Sequence, residues 1–184
     1  MNKTLFKEVQ KYRQPWVWLI IIPLVSGTFI FFAFGINQQL IDGNPFGDNP
    51  MSNTGLILTA IFSIIAMLGI TILFYTMRMI TEIREDGILF RYPPLLNKEK
   101  VIPKNEISIF EVRTYQPIRE YGGWGIKVSA GKNGKAYNVR GKTGLQLVLK
   151  SGEKILLGTQ RGPAILTAMN KMMNNKTSLN EIKQ

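Results

Sequence analysis

Two features of this 184-residue sequence could do chemistry: a Gly-Lys-Thr triplet at Gly141-Lys142-Thr143 and a few grouped carboxylates. The triplet is how a phosphate-binding P-loop ends, and such a loop would make the chain a nucleotide-dependent enzyme. A P-loop, however, needs an earlier glycine, which is Ala136 here, and a helix after the threonine, whose N-terminal amides face the phosphate. Instead Leu145-Gln146-Leu147-Val148-Leu149 follows, an alternating strand pattern, so Gly141 to Gly144 reads as a turn between two strands. Among the carboxylates, Glu85 and Asp86 fall at an Asp-Gly turn and are solvated, while Glu111 and Glu120 belong to no acid–base motif. Histidine and cysteine are absent, which removes zinc sites, Cys/His nucleophile pairs and disulfides. No catalytic residue, metal ligand or cofactor site is assigned, and the chain is expected not to be an enzyme.

The elements that would position any other site begin with two charge-free apolar segments. Residues 16–36, WVWLIIIPLVSGTFIFFAFGI, would span about 31 Å as a helix, matching a hydrocarbon core of about 30 Å. Residues 56–77 form a second such run. The first run is longer than the core of a cleaved signal peptide, so it is expected to stay as a helix, with Pro23 as a source of bending. Lys3, Lys7, Lys11 and Arg13 precede the first segment, the connecting residues 37–55 hold Asp42 and Asp48 without Lys or Arg, and Arg78 and Arg84 follow the second. The positive-inside rule then gives an inner (cell) membrane hairpin with both termini cytoplasmic: residues 1–15 form a tail and residues 37–55 an external loop. Gly55, Thr59 and Ser63 are spaced for helix packing, and the polar residues of DGNPFGDNP suit turns better than a calcium site.

From residue 78 the pattern changes to short alternating runs. Strands are expected over 79–84 and 88–92 around an Asp86-Gly87 turn, near Val101, and over 107–115, 125–130, 137–140, 145–150 and 154–158. Gly162-Pro163 then opens a helix of about three turns, with Ala164, Ile165, Ala168, Met169, Met172 and Met173 on one face. Residues 175–184 read as a polar, frayed tail. A mainly-β unit over 78–174, capped by a C-terminal helix, has the plan of a pleckstrin-homology-like (PH-like) sandwich or barrel. Phe6-Lys7-Glu8-Val9-Gln10, the YQPIREYGGWGIK run from Tyr115, AYNVRG ending at Gly141, and Gly158-Thr159-Gln160 resemble the corresponding segments of small prokaryotic membrane proteins. In these, two transmembrane helices precede a bacterial PH-like domain. The resemblance implies a fold and a membrane location, and it brings no catalytic residues with it.

The remaining candidate is a binding surface. Tyr121-Gly122-Gly123-Trp124-Gly125 either marks a bulge with a packed indole or, with Arg113, Tyr115, Arg119, Tyr137 and Arg140, lines a pocket for an anionic headgroup or a carboxylate; Lys142 adds a charge at the turn tip. Residues 78–184 hold 19 basic against 9 acidic side chains, a net of +10. Beside an anionic leaflet each well-placed cation is worth about 1 kcal/mol. The expected partners are therefore anionic membrane lipids, with a protein partner or a second copy also open; nucleic acid is not expected, because no aromatic RNA-binding strand is present. The function expected is a binding or assembly module at the inner leaflet. The alternative is an accessory subunit of a larger membrane complex, a transporter, protease or envelope-stress system, that docks through the same domain.

Overall fold

The computed structural model describes residues 3–129, 131 and 133–181, with side chains as far as residue 174. The chain divides into two units, Arg13–Thr76 and the combination of Met1–Tyr12 with Met77–Gln184.

In Arg13–Thr76, helix α1 covers Pro15–Ile36 and α2 covers Asn53–Thr76. Pro15 occupies the first turn, where its missing N–H costs nothing. The helix does not stop at Ile36 as the sequence suggested: Asn37–Ile41 continues it in π-helical form, so the loop shortens to residues 42–52. Gln39 fixes that loop, donating from Nε2 to Met51 O (2.7 Å) and Asn53 Oδ1 (2.9 Å). Beside it Phe32, Leu56 and Ala60 form a small core with Ile36, Leu40 and Phe46. A Cβ at Gly35 would lie 2.8 Å from the Phe46 ring, so a larger residue here would displace that ring. With their extensions the two helices run 27 and 24 residues, long and apolar enough to cross a membrane, and most of their large apolar side chains face outward.

The other unit carries two sheets. The first is an antiparallel meander of β1 (Thr4–Lys11), β2 (Arg78–Arg84), β3 (Gly87–Tyr92) and β4 (Leu96–Pro103). Strand β1 corrects the expectation of an N-terminal tail: Phe6, Glu8, Gln10 and Tyr12 alternate inward, and Lys7, Val9 and Lys11 outward. Its register pairs Glu8 with Thr81 and Lys11 with Arg78. The Asp86-Gly87 turn forms as expected, and a Cβ at Gly87 would meet Ile102 O at 2.5 Å.

The second sheet has the order β5 (Ile107–Thr114), β8 (Thr143–Leu149), β9 (Lys154–Gly158), β7 (Lys135–Asn138), β6 (Gly125–Val128), with only the β7–β9 pair parallel. Strand β7 sits two residues earlier than the alternation suggested, and β6 ends at Val128; Ala130, which the sequence placed in it, lies outside the described residues. A short helix, α3 (Pro117–Tyr121), interrupts the sheet between β5 and β6. The last helix, α4, runs Gly162–Glu181, so its backbone continues past Asn174 into the segment expected to fray. Residues 182–184 of that tail lie outside the described residues. Ile165, Met169 and Met172 are fully buried on its inner face. The sheets meet through Phe90 and Tyr137, whose ring centroids are 4.7 Å apart, and through Gln10, whose Nε2 donates to Gly158 O at 2.7 Å.

Candidate functional site

The Gly-Lys-Thr triplet lies on the turn between β7 and β8, with Gly141 at φ +81° and Thr143 already paired in the sheet. Its polar backbone groups serve tertiary structure. Lys142 O accepts from Tyr115 N (2.8 Å), and Gly141 O accepts from Trp124 Nε1 (3.1 Å). A P-loop instead directs N–H groups at a phosphate and continues into a helix. Neither arrangement is present.

Apart from Trp124, whose indole bonds Gly141 O, the eight candidate residues separate into three groups. Arg113, Tyr115 and Tyr121 surround a second, smaller core on the outer face of the five-stranded sheet. There the excursion 115–123 lies over Leu156 and Ala136 and buries both. Tyr115 and Tyr121 meet edge to face at 6.0 Å, and the Tyr121 hydroxyl donates to Asn133 O. The Arg113 guanidinium is held on its Nε and Nη2 side: it donates to Glu120 Oε2 (2.7 Å) and to Gln146 Oε1 (3.0 and 3.2 Å). Its charge is compensated before any ligand arrives. Tyr137 stands apart in the main core, with Lys100 donating to its hydroxyl at 2.9 Å. Arg119, Arg140 and Lys142 are exposed.

The Trp124 bond joins the glycine loop to the Arg140–Lys142 turn, and a third loop closes on the same place. Gln160 Nε2 donates to Arg140 O at 2.8 Å, and a Cβ on Gly141 would touch that side chain at 2.9 Å. The result is a cluster of three loops presenting an indole and two exposed cations. Arg119, on α3, is not among the residues that these bonds draw together.

Sequence reasoning missed the residues that hold this cluster up. Asn138 is wholly buried at its centre: its O accepts from Tyr92 OH (2.9 Å), its Nδ2 donates to Tyr115 OH (2.9 Å), and its Oδ1 accepts from Gly125 N (2.8 Å). Tyr12 and Tyr92 share a hydrogen bond of 2.6 Å. Glu8, only 6% exposed, accepts from Thr159 Oγ1 (2.6 Å) and Gln160 N (2.9 Å), tying β1 to the loop before α4. The sequence carries little signal for them: Phe6 and Tyr12 are six residues apart, as on one face of a strand, but the inward Glu8 and Gln10 between them break the apolar–polar alternation.

The Arg113–Glu120 pair has a consequence in acid. The hydrogen bond from Arg113 holds the Glu120 carboxyl below its ordinary range. A depressed carboxylate stabilises the fold above its unfolded pKa of about 4.3, and that contribution is lost as pH falls through the lowered value. The pair is partly exposed, so solvent screening limits the effect to about 1 kcal/mol. Hydrogen exchange should show amides of 117–123 opening roughly fivefold faster below about pH 4 than at pH 7, and Glu120→Gln should remove that difference.

No protein-family model matches this sequence, and no curated protein matches it either.

Proposed function

We propose that this chain is an integral membrane protein whose strand-rich unit is a PH-like, non-enzymatic binding module working against the anionic cytoplasmic leaflet. A four-stranded meander facing a five-stranded sheet, closed by a C-terminal helix, supports the PH-like reading. The topology follows from β1. Residues on both sides of the two apolar helices belong to one sheet, and a sheet cannot be divided by a bilayer. A chain that leaves from β1 and returns into β2 must therefore cross an even number of times, with its termini on one side. The excess of Lys and Arg on that side supports the cytoplasmic assignment.

The observation that carries the proposal is where the loop cluster lies within its own unit. Strand β1 ends, and β2 begins, at the register pair Lys11–Arg78, the point where the chain passes to and from the helices. Arg78 N donates to Pro93 O, which sets the turn bearing exposed Leu95 beside that point. Tyr12 bonds Tyr92, Tyr92 bonds Asn138, and Asn138 holds the glycine loop of Trp124. Leu95, Trp124, Arg140, Lys142, Lys11 and Arg78 thus share the end of the sandwich nearest its tether. An apolar tip, an indole and a set of exposed cations suit a headgroup layer.

The test uses the full chain in nanodiscs, with Trp16→Phe and Trp18→Phe leaving Trp124 as the sole tryptophan. Quenching by a headgroup-attached quencher should rise with the fraction of phosphatidylglycerol and fall with salt. At about 1 kcal/mol per cation, replacing Arg140 and Lys142 by Ala should weaken the contact roughly thirtyfold. Quenching indifferent to lipid charge and to salt would overturn the proposal.

A further inference from the structure

The turn that carries the Gly-Lys-Thr triplet has three consecutive carbonyls taken, each by a different part of the chain. Arg140 O accepts from Gln160 Nε2 (2.8 Å), Gly141 O from Trp124 Nε1 (3.1 Å) and Lys142 O from Tyr115 N (2.8 Å). A planar trans peptide sets its N–H opposite its C=O, and the peptides of this turn are trans. Fixing the first two carbonyls on their donors therefore turns the N–H groups of Gly141 and Lys142 away from the fold. Residues 140–142 are exposed, and neither N–H has an acceptor among the described residues. Gly141 is left-handed at φ +81°, and successive N–H groups at such a turn make a concavity suited to an anion. Arg140 and Lys142 flank it, and among the described residues neither is in an ion pair.

We propose that the Arg140–Lys142 turn is a receptor for a terminal phosphate group, carried by a lipid headgroup or free in solution. The inference rests on the headgroup reading of the loop cluster and adds chemical selectivity to it. Cations beside a membrane respond to its surface charge, whatever group carries that charge. Backbone N–H donors are directional and favour a compact group with several strong acceptor oxygens. A phosphomonoester offers three such oxygens and about 1.5–2 negative charges near pH 7, which suits two N–H groups set between two cations. The diester of phosphatidylglycerol has one free oxygen fewer and a single charge. The turn differs from a P-loop, which wraps its phosphate and runs on into a helix; here strand β8 follows and the ligand is held at the surface.

Gln160 is the positioning residue. Its side chain holds the Arg140 peptide and lies against Gly141, where a Cβ would meet it at 2.9 Å, while its own backbone N–H donates to Glu8 at 2.9 Å. Gln160→Ala frees that peptide without removing either cation. The bond it removes is an exposed one, and the bond to Glu8 is kept.

The test uses the full chain with Trp124 as the sole tryptophan, in phosphatidylcholine nanodiscs containing either phosphatidic acid or phosphatidylglycerol. Half-maximal headgroup quenching should need at least about fivefold less phosphatidic acid than phosphatidylglycerol. Charge alone provides a ratio of at most about two. Gln160→Ala should bring the ratio down to that value. In discs of phosphatidylcholine alone, millimolar inorganic phosphate is compared with chloride at equal ionic strength. A shift of Trp124 emission specific to phosphate there would keep the chemistry and place its source in solution, whereas silence there with the fivefold lipid preference assigns it to the headgroup. A ratio of about two in the parent with no response to inorganic phosphate would overturn the inference and leave the charge-driven headgroup reading standing. A fivefold ratio that survives Gln160→Ala would also overturn it, because the selectivity would then belong to the side chains and not to the held turn. Quenching indifferent to lipid charge and to salt removes both readings.

Discussion

Residues 78–184 expressed alone are expected to form no cooperatively folded domain, whereas residues 1–12 joined directly to 77–184 through an Asn-Gly turn are expected to fold without the apolar helices. The difference lies in β1. Without it, Phe6 and Tyr12 no longer fill the sandwich, a loss of about 1.5–3 kcal/mol for each buried side chain. Thr159 Oγ1 and Gln160 N lose the Glu8 carboxylate, at about 1.5–3 kcal/mol for each bond to a charged group, and Gly158 O loses Gln10, at about 1 kcal/mol. Strand β2, otherwise interior to the sheet, becomes an open edge. Set against a domain stability of about 5–15 kcal/mol, these losses together suffice to unfold it. Lys11 and Arg78 are the last register pair of the two strands, and the buried Tyr12 and Met77 flank it, so a two-residue type I′ turn suits the gap left by residues 13–76. Thermal melts followed by circular dichroism, with backbone amide spectra, decide the matter. A sharp, matching transition in both chains would show that β1 is dispensable.

The same strand shows where the sequence was hard to read. Helices α1 and α2 were legible because a run of more than twenty residues without charge has few physical meanings, and β9 because it is bounded by Gly152 and Gly158. Strand β1 was not, because two of its inward positions are Glu8 and Gln10, and their partners lie about 150 residues away. Alternation of an apolar residue with a polar one is the strand signal, and a polar residue that finds its partner across the fold erases it. Helix α3 was hidden by its length of five residues, although Pro117 at its start and Gly122 in the left-handed conformation at its end are ordinary helix boundaries. The candidate surface was legible in part. Arg113, Tyr115 and Tyr121 do come together, but Glu120 and Gln146 occupy the guanidinium, and only coordinates show that. Trp124, Arg140 and Lys142 come together as well, through a hydrogen bond to a carbonyl that no sequence pattern encodes.

Alkaline pH should unfold the strand-rich unit between about pH 10 and pH 12, and the buried tyrosines are the cause. Burial pushes the Tyr115 hydroxyl up to about 12, and it raises Tyr92, Tyr12 and Tyr121 as well. A raised group stabilises the fold fully while pH stays below its unfolded value, because both states then keep the proton. Above about pH 10 the unfolded chain releases the proton and the folded chain does not, so stability falls until the folded pKa is reached. At about 1.4 kcal/mol per pH unit, Tyr115 alone removes roughly 3 kcal/mol by pH 12, and the other three add to it. Urea midpoints measured from about pH 8 to about pH 12, alongside tyrosinate absorbance, should therefore fall steeply, with ionisation and unfolding coinciding. Tyr115→Phe separates this from a general effect of charge. It leaves Asn138 Nδ2 without its acceptor, which should cost about 1–3 kcal/mol at neutral pH. Yet it removes one of the groups that titrate, so the variant's stability should decline less between about pH 10 and pH 12 than that of the parent. Parallel decline in the two proteins would mean that the tyrosine network around Asn138 does not govern the alkaline limit of the fold.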